Sequence, residues 1–263
     1  MTFRQRLKYW FYGRCPGVAG KFPYYGTRVY FPPGAVIFKV ICEQGVFEPE
    51  IIHRLTNLTR PDTSVFDVGA NIGLMSVPVL QSCSTCRVVS FEPSPNSLPY
   101  LQRTAAESVY KDRWTVIGKA LSREAGKLDF AIGNSRDALF EGFKSGPRIP
   151  RAHTITVPVT TLDEEWSRLG KPPVSVVKID VEGAEGLVLD GSHELLTNCH
   201  PHVVLEWYEA HLKGFGTKSD ELLSIAEHFG YRIYSIPTGV PVDEERTLQV
   251  QMTGCYNFLL VPS

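Results

Sequence analysis

Apolar residues along the chain gather into short runs separated by amphipathic stretches. Residues 64–67, 87–92, 114–117, 174–180, 202–206, 231–236 and 257–261 read as strands. Between them, 73–80, 98–110, 162–169, 185–196 and 219–229 read as helices. Residues 127–132 and 154–159 alternate polar and apolar positions, like two strands that could pair with each other. Ahead of these, 2–13 reads as a short amphipathic helix, 13–34 as extended or looped, and 47–58 as a helix with Pro49 near its first turn. Repeated strand–helix alternation predicts an α/β fold, with a parallel sheet covered by helices on both faces. Residues 133–151, rich in Gly and Pro, read as a surface loop and a candidate lid.

Composition narrows the function classes. The chain has 263 residues, 43% hydrophobic and 21% charged, with 27 Lys and Arg against 28 Asp and Glu. A net charge of −1 gives no global field for nucleic acid. The charge is uneven, however. Residues 1–42 hold seven basic residues, no acid and eleven of the 29 aromatics, so 1–61 reads as a basic, aromatic extension and helix ahead of a domain over 62–263. That segment could cap the fold, shape an acceptor pocket or make peripheral contact with an anionic membrane. No window is apolar enough to span a bilayer, and no apolar leader segment follows the N-terminal basic residues. Six scattered cysteines fit a reduced, cytoplasmic setting, in which the Asn57-Leu58-Thr59 sequon is chance.

Four strands finish in an acid: Asp67, Glu92, Asp180 and Glu206. Ligands of open α/β sheets bind at the carboxyl ends of the strands. Four carboxylates there would repel one another unless cations or hydrogen-bond donors compensate. A ligand with cationic centres and hydroxyl donors satisfies that demand; the plainer alternative is that each acid caps the next turn. The first strand runs into Asp67-Val68-Gly69-Ala70-Asn71-Ile72-Gly73, a turn suited to close backbone approach, and Glu92 follows Gly73 by nineteen residues, where an acid meets a ribose diol. The glycine spacing is not that of a dinucleotide fingerprint.

Val65-Phe66-Asp67-Val68-Gly69-Ala70-Asn71-Ile72-Gly73, Phe91-Glu92-Pro93-Ser94-Pro95, Thr161-Leu162-Asp163 and Lys178-Ile179-Asp180-Val181-Glu182-Gly183-Ala184-Glu185 together resemble the FkbM-type S-adenosylmethionine-dependent methyltransferases over residues 62–209. The resemblance implies a Rossmann-like, seven-stranded sheet, S-adenosylmethionine as cofactor and O-methylation of a sugar, lipid or secondary metabolite. It places Asp67, Gly69, Asn71 and Gly73 around the methionine portion, Glu92 on the ribose, and Asp180 and Glu182 in the pocket. Pro78 inside the first helix and Thr104 in the second depart from the family pattern.

Methylating a hydroxyl needs a proton acceptor. Glu182, Glu206 and His211 are the candidates, with Lys178 as a partner that keeps a carboxylate ionised. Glu182→Gln is expected to keep cofactor binding and lose turnover. Asp180, Glu182 and Glu206 could also offer oxygens to Mg²⁺, although a metal is not the expected reading. His200-Pro201-His202 and Cys83-Ser84-Thr85-Cys86 lack a second ligand pair and read as structural. Two other classes stand beside the methyltransferase: a nicotinamide-dependent oxidoreductase and a non-catalytic binding module with the same fold.

Overall fold

The chain enters its fold as a hairpin, β1 (Gly20–Tyr24) against β2 (Thr27–Phe31), followed by helices Val36–Gln44 and Pro49–Leu58. Then come β3 (Ser64–Val68), helix Ser76–Ser82, β4 (Arg87–Phe91), helix Leu98–Glu107 and β5 (Trp114–Ile117). Strands β6 (Ala120–Leu121), β7 (Gly126–Ile132), β8 (Gly142–Phe143) and β9 (His153–Thr160) make a separate four-stranded sheet. Helix Leu162–Arg168, β10 (Val174–Ile179), helices Glu185–Asp190 and His193–Cys199, and β11 (His202–Glu206) return to the main sheet. Helices Glu209–Leu212 and Glu221–Phe229, β12 (Tyr231–Ile236), β13 (Pro241–Val242), helix Glu245–Met252 and β14 (Asn257–Pro262) complete it. This computed structural model describes residues 20–133, 142–143 and 153–263, together with 3, 4, 6, 7 and 10. Most of the 133–151 candidate lid lies outside them; of the expected 2–13 helix, residues 3, 4, 6, 7 and 10 are helical.

The main sheet has eight strands in the order β13-β12-β14-β11-β10-β3-β4-β5, and it is mixed. This corrects both the all-parallel and the seven-strand expectations. Strands β11, β10, β3, β4 and β5 are parallel, whereas β14 runs against both of its neighbours, β11 and β12. The run Phe258-Leu259-Leu260 is buried like a parallel strand, so hydropathy alone carries no direction for it. The additional strand β13 is a two-residue edge paired to β12.

Side-chain alternation loads both faces. Val65, Val88, Val176 and Val204 join one core with the hairpin and with the helices at 36–44 and 49–58. Phe66, Val89, Val177 and Val203 join the other core, with Trp166, Leu189 and Leu222. Residues 20–58 therefore share a core with the sheet. Thr104, a departure from the family pattern, helps to dock them: its Oγ1 accepts the Tyr30 N–H at 3.0 Å and donates to Tyr100 O at 2.8 Å. The Tyr30 hydroxyl also meets Glu107, and Arg103 lies over the Tyr30 ring. The Pro78 departure is harmless because the helix begins at Ser76, not at 73, so Pro78 falls in the first turn, where N–H groups have no intrahelical partner.

Candidate functional site

The chain order turns back between β3 and β10, and the crevice at such a switch point is where α/β sheets bind ligands. A cavity of about 360 Å³ lies there. Gly69–Asn71, Glu92, Lys178, Asp180, Glu182, Glu206 and His211 all line it. Gly69 has φ +76°, and a Cβ there would lie 1.8 Å from Asp180 O, so the loops after β3 and β10 touch only because residue 69 is glycine.

Two expected residues stand behind the cavity wall instead of on it. Asp67 is buried; it accepts the Ser76 hydroxyl at 2.6 Å and sits 3.6 Å from Lys178 Nζ. Gly73 packs its backbone against the Trp114 ring, where a Cβ would come within 2.8 Å. Glu92 does line the cavity, and its carboxylate accepts the N–H groups of Asn71 and Ser94, each at 2.8 Å.

Lys178 binds the two central loops together. Its ammonium donates to Gly69 O at 3.1 Å and pairs with Asp180 at 3.2 Å as well as with Asp67. Burial opposes its charge, but Asp180, Asp67 and Glu48 outweigh that and hold its pKa above the ordinary lysine value. Lys178 is thus a fixed cation and accepts no proton.

The stretch after β10 is shaped by Glu185. Its Oε1 accepts the N–H of Val181 at 2.9 Å and of Gly183 at 3.2 Å, closing a loop in which Glu182 adopts φ +58°. Burial pushes the Glu185 carboxyl up to about 8, against those N–H donors. Gly183 (φ +106°) lies against the 209–212 helix, where a Cβ would sit 2.6 Å from His211 O. That contact brings Glu182 to 3.5 Å from His211 Nδ1. Glu206, at the end of β11, is closer, at 2.9 Å from the same nitrogen. Burial, then Asp180, raise the Glu206 pKa, while the hydrogen bond from His211 works against the rise. His211 Nε2 is buried without a hydrogen-bond partner. The Tyr208 ring stands edge-on to the imidazole. One ligand atom each from Glu182, Glu206 and His211 falls within 4.8 Å of the others, a spacing at which the three could also hold a divalent cation.

One wall comes from the segment for which the sequence offered pocket-shaping as one of three roles, without naming its residues. Val36, Ile37, Val40, Phe47 and Glu48 line the cavity from the N-terminal side. The Glu48-Pro49 pair signals a helix start but gives no hint of a pocket. Other motifs prove structural. Asp163 accepts the N–H groups of Glu194 and Leu195, each at 2.9 Å, at the start of the 193–199 helix. Arg113 binds the carbonyls of Leu80, Cys83 and Cys86. His200 bonds Phe229 O at 2.8 Å at the opposite end of β11 from the cavity. Among the described residues no helix is long and apolar enough to cross a membrane.

The family described as Methyltransferase FkbM domain matches residues 67–233. The chain is 28% identical over 160 residues to the 2-O-methyltransferase NoeI of Sinorhizobium fredii, covering 56% of this chain and 65% of that protein. It is 29% identical over 171 residues to the methyltransferase sdnD of Sordaria araneosa, covering 55% and 66%. The matched segments thus span just under two thirds of either relative. A crystal structure of the methyltransferase FkbM from Methylobacillus flagellatus aligns at 17% identity and a TM-score of 0.49, over 81% of this chain and 50% of that one. With the family match spanning more than half its residues, this chain belongs to the FkbM methyltransferases.

Proposed function

We propose that this chain is an S-adenosylmethionine-dependent O-methyltransferase with His211 as its general base. The observation that carries the base is the buried, unpartnered Nε2 of His211, a residue that lines the cavity and whose Nδ1 is held by Glu206. The donor set also suits the cofactor. The Glu48 and Glu206 carboxyls are pushed up, first by burial and next by Asp180, which marks a cavity short of positive charge. When bound, S-adenosylmethionine supplies an electrophilic methyl on a sulfonium, and its positive charge meets that deficit. Glu92, beside the Gly69–Asn71 turn, would hold the ribose hydroxyls, and Asp180 lines the same cavity.

When Glu206 is ionised it only accepts hydrogen bonds, which places the proton of a neutral His211 on Nδ1 and leaves Nε2 its lone pair. Nε2 then takes the proton of the acceptor hydroxyl. Glu206 fixes the tautomer and stabilises the imidazolium, and Glu182 adds a second negative charge at 3.5 Å. Such base catalysis contributes about 10²–10⁴-fold. The name of NoeI records 2-O-methylation, in keeping with an oxygen nucleophile. The oxidoreductase alternative has no observation in its favour.

Calorimetric titration with S-adenosylmethionine, S-adenosylhomocysteine and NAD tests the cofactor. Binding of both sulfur compounds and not NAD is expected; folded protein that binds neither overturns the reading. His211→Asn keeps a donor toward Glu206 and removes the base. It should retain S-adenosylhomocysteine binding, yet lower S-adenosylhomocysteine release on a panel of methyl glycosides and polyols by about 10²-fold or more. Undiminished release would remove His211 from the chemistry.

A further inference from the structure

Glu48 comes from a stretch that the family match does not reach. It precedes the 49–58 helix at φ +41°, a left-handed conformation that a non-glycine residue adopts at a cost. Its side chain makes no hydrogen bond to cap that helix. The carboxyl lines the cavity instead, near enough to Asp180, Lys178 and Glu206 for their charges to act on it. Burial and the Asp180 charge push it up to about 7. Glu48 is half-buried, and a fully solvated acid at a helix start would not feel these charges so strongly. His211, which lines the same cavity, has a buried and unpartnered Nε2.

These groups restrict what can sit between them. Both lysines on the described wall are already committed, Lys119 to Glu165 at 2.8 Å and Lys178 to Asp67 and Asp180. No cation among the described lining residues is left to meet an anionic acceptor. A carboxyl that titrates near neutrality both donates and accepts, as hydroxyls do. Beside it Val36, Ile37, Val40 and Phe47 present an apolar surface.

We propose that Glu48 is an acceptor-binding residue, and that the cavity it completes takes a neutral, hydroxyl-rich acceptor and turns away acceptors with a carboxylate or phosphate beside the reacting hydroxyl. The proposal rests on the methyl-transfer reading above. It assigns selectivity to the N-terminal segment, whereas Gly69–Asn71, Glu92 and Asp180 serve the cofactor.

The test uses full-length protein saturated with S-adenosylhomocysteine. Three matched probes are titrated by calorimetry: 4-nitrophenyl β-glucoside, β-glucuronide and β-glucosaminide. S-adenosylhomocysteine affinity is measured first on every variant and is expected to be unchanged. Wild-type protein should bind the glucoside at least about tenfold more tightly than the glucuronide, the effect of one uncompensated charge. Glu48→Gln should keep glucoside binding and bring the glucuronide within about threefold of it. Glu48→Ala should weaken the glucoside about tenfold, as expected for a lost hydrogen bond in a closed site. The proposal is overturned if no probe binds, if the glucuronide matches the glucoside on wild type, or if the glucosaminide binds most tightly. It is equally overturned if both variants leave the three affinities unchanged, or if either variant loses S-adenosylhomocysteine. Failure of the wild type to bind S-adenosylhomocysteine would instead overturn the cofactor reading on which the proposal rests.

Discussion

Gly183→Ala separates backbone strain from contact at the point where two halves of the site meet. Gly183 has φ +106°, and an added Cβ would lie 2.6 Å from His211 O, 2.8 Å from His211 C and 3.0 Å from the Phe215 ring. An alanine at positive φ costs ~1–2 kcal/mol from conformation alone. The contact adds to this, because two of the three crowded atoms are backbone and cannot rotate aside. An ordinary Cβ contact begins near 3.4 Å, so the 209–212 helix must retreat by roughly 0.8 Å, and overpacking of this kind costs ~1–3 kcal/mol. The sum is about 2–5 kcal/mol.

Gly170→Ala is the control. Its φ is +83°, but a Cβ there meets nothing within 4 Å, so only the strain of ~1–2 kcal/mol remains. Urea unfolding of both variants gives the difference directly. Gly183→Ala should also displace His211 from Glu206 and Glu182, lowering turnover beyond any effect on S-adenosylhomocysteine affinity. Equal destabilisation by the two substitutions, or a fully active Gly183→Ala enzyme, would refute the claim that this contact seats His211.

Other measurements probe other parts of the fold. The folded-state pKa of Glu185, about 8, lies above the ordinary carboxylate value, so its contribution to stability is complete in acid and lost as pH rises toward 8. Unfolding free energy should therefore fall by a few kcal/mol between about pH 5 and 8, and Glu185→Gln, which keeps an acceptor for Val181 and Gly183, should flatten that slope. Thr104→Val leaves the buried Tyr30 N–H without its acceptor and should cost about 1–3 kcal/mol in urea unfolding, with S-adenosylhomocysteine affinity retained. Because His211 Nδ1 is committed to Glu206, EDTA should leave cofactor binding and S-adenosylhomocysteine release unchanged; activity lost to EDTA and restored by Mg²⁺ would assign Glu182, Glu206 and His211 to a cation instead.

Strands β3, β4, β10 and β11 were legible in the sequence because both of their faces are buried, which leaves short, mostly apolar runs ending in an acid. The acids could therefore be placed at the sheet's carboxyl edge. Their division of labour could not. Asp67 and Asp180 follow similar runs, yet one faces Ser76 and Lys178 behind the wall while the other reaches the cavity, a difference set by loop geometry. The helix Val36–Gln44 was hidden because four of the six residues in Val-Ile-Phe-Lys-Val-Ile are β-branched and the run reads equally well as a strand. Strand β14 was visible, but its direction depends on which neighbour it joins, and no local pattern records that. Glu48 was invisible for the same reason: tertiary packing alone carries it to the cavity.

Charge balance gives a last prediction, because it links the protonation of the cavity to cofactor choice. Lys178 pairs directly with Asp67 and Asp180, whereas Glu48 and Glu206 feel its charge without such a pair, and both are raised. S-adenosylmethionine carries one more positive charge than S-adenosylhomocysteine, at sulfur. As pH rises from 6 to 8, Glu48 passes through its pKa of about 7 and the cavity gains negative charge. Even at a separation on the order of 10 Å and an effective dielectric of about 20, one such charge contributes ~1.5 kcal/mol, roughly tenfold. The affinity ratio of S-adenosylmethionine to S-adenosylhomocysteine should therefore increase about tenfold across that interval. Titration of the α-ammonium is common to both ligands and cancels in the ratio. Glu48→Gln should remove much of the increase while leaving S-adenosylhomocysteine affinity intact. A ratio independent of pH in the wild type would mean that the strand-end carboxyls do not face the sulfonium, and that they hold the fold together without selecting the cofactor.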